Sequence, residues 1–469
     1  MPKNQINRRS FLKYSMVGSA FLATPQVLKG KFPAIVENKT PNILLILTDQ
    51  QHSNALSFLG NTNLSTPAID YLYKNGVSFN NNYCTNPICS PARSSLFTGR
   101  MPSETGVWKN GNGIDKSIPN LGQWFNERSD YKTYYAGKWH LPNGFTFNIP
   151  GFNVLTPGVS FQGILGDSVT SEACANFISN YNEKNPFLLV ASFLQPHDIC
   201  QWLRLNAYRN ENVNFSEPLP NLPDNFRIPE IEHSSIRQLR ESYEPIMSNW
   251  TEDQWRYYLY NYYRQVEMVD AEVGKIISSL IESEHHDNTL VLFTSDHGEG
   301  LAHHKFVRKN TLYEESIKTP FSIYYPNEIP GNKRSDNLTS GLDIFPTLCE
   351  FAKIKSPEKL KGVSLKPNID DKNNGQREFV IGELSTDGDG ITLDGRMVRT
   401  NKYKLITFND GKDDQLFDII NDKYEMKNIA NEIDAQNEKN ELKRILKKWE
   451  SKIVPSKKTP ARKIWNNRE

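Results

Sequence analysis

The stretch "NILLILTDQQ" (residues 42–51) decides how the chain is read. Ile43 to Leu47 are all aliphatic, with no polar residue alternating among them. Such a run suits a strand buried on both faces of a parallel sheet. It then ends in Thr48, Asp49 and Gln50, a carboxylate and an amide at the point where a strand must turn.

Three further runs have the same form: "YKTYYAGKWH" (131–140), "PFLLVASFLQPHD" (186–198) and "TLVLFTSDHGEG" (289–300). They end at Lys138 and His140, at His197, and at Asp296 and His297. In open parallel sheets ligands sit at the carboxyl edge of the strands. Four strand ends supplying carboxylates, imidazoles and a lysine are what a site for a metal and an anion requires.

Helical patterns lie between these runs, at 66–76, 168–185, 251–284 and 341–354, the first opening on Thr66-Pro67 and closing at Gly76. The alternation predicts an α/β fold with a large, mostly parallel mixed sheet sandwiched by helices. From about residue 371 the texture changes to short antiparallel strands with Gly, Asn and Asp turns, followed by the amphipathic "NEKNELKRILKKWESKI". The expected division is an export signal and linker (1–38), a site-bearing domain (39–370) and a smaller α+β subdomain with a short antiparallel sheet (371–469). Residues 199–250, rich in Pro, Asn, Glu and Arg, read as a long inserted loop region.

The chain has 469 residues, with 55 Lys and Arg against 54 Asp and Glu. This balance gives no global field for nucleic acid or an anionic membrane, so an anionic ligand must be met by local charge. Five irregularly spaced cysteines do not form a disulfide framework, although one pair could be bridged. At the N-terminus, Arg8-Arg9 before Ser10, Phe11, Leu12 and Lys13 fits a twin-arginine signal. The apolar segment after it is too weak for a membrane span. The expectation is a soluble periplasmic or secreted protein, without a membrane anchor, delivered by the twin-arginine export machinery.

"NPICSPARSSLFTGR" (86–100) places Cys89 before Ser90-Pro91, with Arg93 one turn on and Gly99 as a stop. Ser90 as N-cap and Pro91 at the first helical position would start a helix ending near Thr98. Cys89 would then stand at a helix N-terminus, where anions and strong nucleophiles are favoured.

Cys89-Ser90-Pro91-Ala92-Arg93 with Leu96, Thr98, Gly99 and Arg100 resembles the signature of the type I sulfatases, in the alkaline phosphatase superfamily. "PNILLILTDQQ", "GKWHL", "QPHD" and "TSDHGEGLAHHKFVRKNTLYEES" resemble further blocks of that family in order and spacing, over about residues 41–430. The resemblance implies an alkaline-phosphatase-like fold and a sulfuric ester hydrolase. It implies that a separate formylglycine-generating or anaerobic sulfatase-maturating enzyme oxidises Cys89 to formylglycine (3-oxoalanine). It implies one calcium ion per chain held by Asp49, Gln50, Asp296 and His297 together with position 89. The hydrated aldehyde would attack sulfur through one hydroxyl and expel sulfate by deprotonation of the second. Arg93 would stabilise the modified residue, Lys138 and Lys309 would bind sulfate oxygens, and His140 would orient the diol. His197 would be the general acid, and His304 would lie near the sulfate. Gln50 departs from the commoner aspartate and removes one negative charge from the metal site.

An exported sulfatase of this kind points to a sulfated oligo- or polysaccharide as substrate. Trp202, Arg204, Tyr208 and Arg209 are candidates for sugar stacking and for pairing with a second anionic group. The tyrosine run 257–263 reads as helix packing, since its rings fall all round the helix. The alternatives are a phosphodiester or phosphonate monoester hydrolase of the same superfamily, and a sulfoglycan-binding protein in which Cys89 stays unmodified.

Overall fold

The computed structural model describes residues 40–460, except 160–161, 207–217, 371–376, 389–390 and 410. The Arg8-Arg9 segment, Tyr208 and Arg209 lie outside the described residues.

Nine strands form the main sheet: β1 (Asn42–Asp49), β2 (Val77–Tyr83), β3 (Lys132–Gly137), β4 (Asn153–Thr156), β5 (Phe187–Pro196), β6 (Thr289–Ser295), β7 (Lys318–Thr319), β8 (Phe321–Tyr324) and β9 (Lys333–Ser340). Their order is β4-β3-β5-β1-β6-β8-β2-β7, with β9 also paired to β2. The five strands from β4 to β6 run parallel. β8 then pairs antiparallel with both β6 and β2. The four apolar runs of the sequence are thus the contiguous block β3-β5-β1-β6.

The absence of alternation in these runs has a direct cause. Ile43, Leu45 and Leu47 pack on one face with Phe97, Phe125, Phe345 and Leu348. Leu44 and Ile46 pack on the other with Ile69, Leu72, Cys174, Val269 and Val273. Helices Cys89–Thr98, Leu121–Arg128 and Ile344–Phe351 cover the first face, and Pro67–Asn75, Gly163–Asn180 and Glu252–Glu282 the second. Each fully buried aliphatic contributes about 1.5–3 kcal/mol, so the central strands are apolar on both faces along most of their length.

The second sheet is antiparallel, in the order β10 (Phe379–Gly388), β11 (Ile391–Thr400), β12 (Tyr403–Phe408) and β13 (Gln415–Asp418). Helix Gln436–Glu450 covers one face through Leu442 and Leu446 against Val398, Leu405 and Leu416. The other face shares a core with Leu312, Tyr313 and Ile317 of the larger body.

The region 199–250 is not the loop expected from its composition. Helices Ile199–Asn206 and Ser234–Met247 lie within it and bury Ile199, Leu203, Leu239 and Tyr243. All five cysteines are free thiols, so no pair is bridged. Among the described residues no helix is long and apolar enough to cross a membrane.

Candidate active site

The ends of β1, β3, β5 and β6 converge on position 89. Helix Cys89–Thr98 begins two residues earlier than the Ser-Pro pair suggests, with Ile88 as its extended N-cap residue. Ser90 is therefore not the cap. Its amide N–H donates to Asn110 Oδ1 at 2.9 Å, and its hydroxyl donates to the His140 carbonyl at 2.7 Å, tying the helix to the β3 loop. Gly99 closes the helix in the left-handed region, φ 65°.

The buried Cys89 sulfur is 3.2 Å from His297 Nε2, 3.5 Å from Lys309 Nζ and 3.8 Å from Asp49 Oδ1. His140 and His197 also hydrogen-bond to it. Burial opposes ionisation of the thiol, but Lys138, Lys309 and His297 outweigh burial and hold its pKa well below the ordinary thiol value. The environment favours negative charge at this side chain.

Arg93 is wholly buried one turn into the helix. Its Nε donates to Asp296 Oδ2 at 2.9 Å and its Nη2 to Asp49 Oδ2 at 3.0 Å. Its Nη1 donates to the Lys138 carbonyl and to Ser192 Oγ. Its hold on position 89 therefore runs through the two carboxylates and not through direct contact. Lys138 Nζ donates to Asp49 Oδ2 at 2.6 Å. Burial and the Cys89 charge push the Asp49 carboxyl up, yet Lys138, His197 and Arg93 bring it below the usual carboxylate range. Asp296, disfavoured by burial and by Asp49, is raised to about 6. His297 Nδ1 faces the Gly298 carbonyl at 2.9 Å, which fixes Nδ1 as donor and leaves Nε2 toward the cluster.

Ligand atoms of Asp49, Cys89, Asp296 and His297 all lie within 4.8 Å of one another, so this buried cluster could hold a metal ion. Calcium binds oxygen at 2.3–2.6 Å, so donors on opposite sides of one ion stand about 5 Å apart, and the spread fits a single ion. Two carboxylates are hard donors suited to it, and the Gln50 amide oxygen, close by, adds a third. The thiol is the one soft member, and an oxygen in its place would make the set a better calcium site.

His197 is half-buried in the turn after β5. Burial, Lys309 and Lys138 lower its pKa to about 4. Lys309 Nζ bridges Gln50 Oε1 and Cys89, and burial is outweighed there by Cys89, Cys200 and the carboxylates, which hold the ammonium charged. His304 is not brought to this cluster. Its Nδ1 meets Glu315 at 2.7 Å and its Nε2 the Tyr424 carbonyl at 2.8 Å, so both ring nitrogens are committed to packing against the second sheet's connections. Trp202 is half-buried and packs against Trp250, Tyr257 and Tyr258, and the exposed Arg204 reaches Gln201 on its own helix.

Several residues of the site carried no signal in the one-dimensional pattern. Ser192, in the middle of an apolar run, receives Arg93 and donates to the Lys138 carbonyl at 2.8 Å. Tyr262 receives the His52 amide and donates to the Gln50 carbonyl at 2.7 Å. Glu299 was the more legible one: a carboxylate between two glycines, three residues beyond Asp296, which the structure buries completely.

A parallel sheet sandwiched by helices, with a carboxylate pair, an arginine and a helix-terminal nucleophile position at its carboxyl edge, defines an alkaline-phosphatase-like hydrolase. The sulfatase family model matches residues 41–354, and that of the N-sulphoglucosamine sulphohydrolase C-terminal region matches 302–452. The chain belongs to the sulfatase family and is an enzyme of that class. It is 31% identical over 409 residues to a Delta 4,5-hexuronate-2-O-sulfatase of Bacteroides thetaiotaomicron, covering 83% of this chain and 84% of the relative. It is 28% identical to an ulvan-active sulfatase of Formosa agariphila, covering 88% and 81%. The structure of a 2-O GAG sulfatase superposes with a TM-score of 0.81 at 28% identity, covering 88% of this chain and 92% of that one.

Proposed function

We propose that this sulfatase removes sulfate from a sulfated oligo- or polysaccharide, with formylglycine formed from Cys89 as its nucleophile and calcium as its metal. The observation that carries the reading is the convergence of Asp49, Asp296, His297, Lys309, His140 and His197 on one buried side chain at position 89. The names of the relatives, which act on hexuronate 2-O-sulfate and on ulvan, support the substrate class.

Asp49, Gln50, Asp296 and His297 would hold the calcium, which when bound neutralises the sulfate's charge and favours the ionised form of the nucleophile. Arg93 keeps the carboxylates in place. Lys138 and Lys309 present ammonium groups to sulfate oxygens. His140 orients the nucleophile, and the leaving sugar alkoxide takes its proton from His197. His197 is neutral at pH 7 in the free site, because burial and two ammonium groups disfavour its charge. A bound sulfate monoester places negative charge between those groups and raises the imidazole's proton affinity when it must act as an acid. By this reading a maturating enzyme modifies Cys89, and the twin-arginine machinery carries the protein to the periplasm or beyond.

Peptide mass and kinetics test the reading together. The peptide ending at Arg93 should be about 18 Da lighter than its cysteine form, the signature of a covalent change that alters the chemistry. Released sulfate from defined sulfated glycans should exceed phosphodiester turnover in kcat/KM, and Cys89→Ala should abolish it. Stripping calcium should lower Tm, and restoring it should return Tm in proportion to the logarithm of free calcium. A preference for phosphodiesters would overturn the substrate class, and an unmodified cysteine in an active protein would overturn the nucleophile.

A further inference from the structure

We propose that Glu299 is a positioning residue for Gln50: its side chain, with Lys309 opposite, fixes which end of the amide faces the cation site. The inference rests on the proposed calcium site and deepens it.

Gln50 is held at every polar atom. Its amide N–H donates to Asp296 Oδ1 at 3.0 Å and its carbonyl accepts the Tyr262 hydroxyl at 2.7 Å. Its backbone is in the left-handed region, φ 68°, which aims the side chain out of line with β1. Its side-chain Nε2 donates to Glu299 Oε2 and approaches Cys200 Sγ at 3.3 Å, while its Oε1 accepts from Lys309 Nζ. Turning the amide over would set Nε2 against an ammonium and Oε1 against a carboxylate. Both contacts would then be repulsive, so one orientation is imposed from two sides. That orientation presents the oxygen, the only atom of the amide a cation can use, toward Lys309 and position 89.

Glu299 is itself built for this. Its Oε1 accepts the Tyr258 hydroxyl and the Arg308 amide, the latter at 2.5 Å, and its Oε2 accepts from Gln50. Burial pushes the Glu299 carboxyl up, opposed by the Tyr258, Gln50 and Arg308 hydrogen bonds and by Lys309; the Arg308 and Gln50 nitrogens can only donate, so they hold both carboxyl oxygens as acceptors. The flanking glycines let the loop lie against its neighbours: a Cβ on Gly298 would meet the Glu315 carbonyl at 2.1 Å, and one on Gly300 the Arg308 carbonyl at 2.8 Å. With Glu299 there, an aspartate at position 50 would bring two buried carboxylates into contact, which cannot both ionise. Glutamine at 50 and glutamate at 299 therefore form a matched pair.

The test is calcium affinity by calorimetry on the chelator-stripped full chain, with the state of position 89 matched by peptide mass. Loss of a group that orients a metal ligand weakens metal by about 10–100-fold, so Glu299→Gln should raise the calcium Kd at least about tenfold. Gln50→Asp in the Glu299→Gln background should bring Kd back to within about threefold of wild type, since the carboxylate is returned to position 50. Gln50→Asp alone should not match the double variant. An unchanged Kd in Glu299→Gln, or a double variant no tighter than it, overturns this inference and leaves the calcium site standing. Absence of calcium binding by the wild type overturns the site reading, and this inference with it. Should Glu299→Gln not fold, Tyr258→Phe removes one donor to the carboxylate and keeps the ring; a weaker Kd supports the pairing, and an unaltered one overturns it.

Discussion

At the scale of single residues, the site is wired by contacts that span the chain: Arg93 joins Asp49 to Asp296, and Lys138 reaches Asp49. Asp49, Lys138, His197 and Asp296 stand out because a polar group ends an otherwise apolar run. Ser90 and His304 show the converse. A Ser-Pro pair is a good start signal, yet the helix takes in Cys89 because Asn110 satisfies the Ser90 amide from outside. His304 lies in a matching stretch, yet Glu315 and Tyr424 claim its ring. Both outcomes depend on partners distant in the chain. Asp198 is a further case. Its carboxylate accepts the Gly163 and Ile164 amides at 2.9 and 3.0 Å and the Gln195 side chain at 2.8 Å, fastening the turn that carries His197. Asp198→Asn cannot accept all three bonds. It should lower kcat/KM by roughly 10–100-fold on sugar sulfates, which need a proton for the leaving alcohol, and far less on nitrophenyl sulfate, which does not. Equal losses on both substrates would show that the turn matters only for folding.

At the scale of elements, the central strands were read correctly because their two buried faces leave a pattern, whereas caps were misread because the acceptors for the first helical amides come from elsewhere. Helix Pro67–Asn75 opens on Thr66, whose side chain caps nothing. The Asp270 carboxylate, on helix Glu252–Glu282, instead accepts the Ala68 and Ile69 amides at 3.2 and 2.8 Å. Burial raises Asp270 to about 7, only partly opposed by those two amides. A carboxyl whose folded pKa lies above its unfolded value binds its proton more tightly in the native state, so its stabilisation is lost as pH rises through 7. Between pH 6 and 8 the change is about 1.4 kcal/mol. The Tm advantage of the wild type over Asp270→Asn should therefore shrink across that interval. A gap independent of pH would place the Asp270 pKa well below this range. The helices in 199–250 escaped notice for another reason: the segment is rich in Pro and charged residues, and its buried apolar side chains, Ile199, Leu203, Ile236, Leu239, Tyr243 and Met247 among the described residues, form a narrow stripe.

At the scale of the whole molecule, composition and alternation were enough for a large parallel sheet and a small antiparallel one, but not for what joins them. The junction is ionic as well as apolar. Lys404 of β12, wholly buried, reaches Glu425 at 2.7 Å and Glu314 at 3.1 Å, and Glu314 also accepts the Tyr83 hydroxyl from β2. Breaking a buried pair by removing one partner costs about 3–5 kcal/mol, because the other charge stays behind. Lys404→Met should lower Tm sharply, and adding Glu425→Gln should recover part of the loss. An unchanged Tm would mean that the apolar contacts alone hold the junction. The order of strands has one more consequence. β1 lies between β5 and β6, and Ser295 of β6 reaches the Thr48 carbonyl across 247 residues of sequence. A ribosome adding about 5–20 residues per second needs roughly 10–50 s to make that span. For that time one edge of β1 waits for its β6 neighbour even after β5 has been made, so a nascent-chain chaperone has a long window in which to bind it.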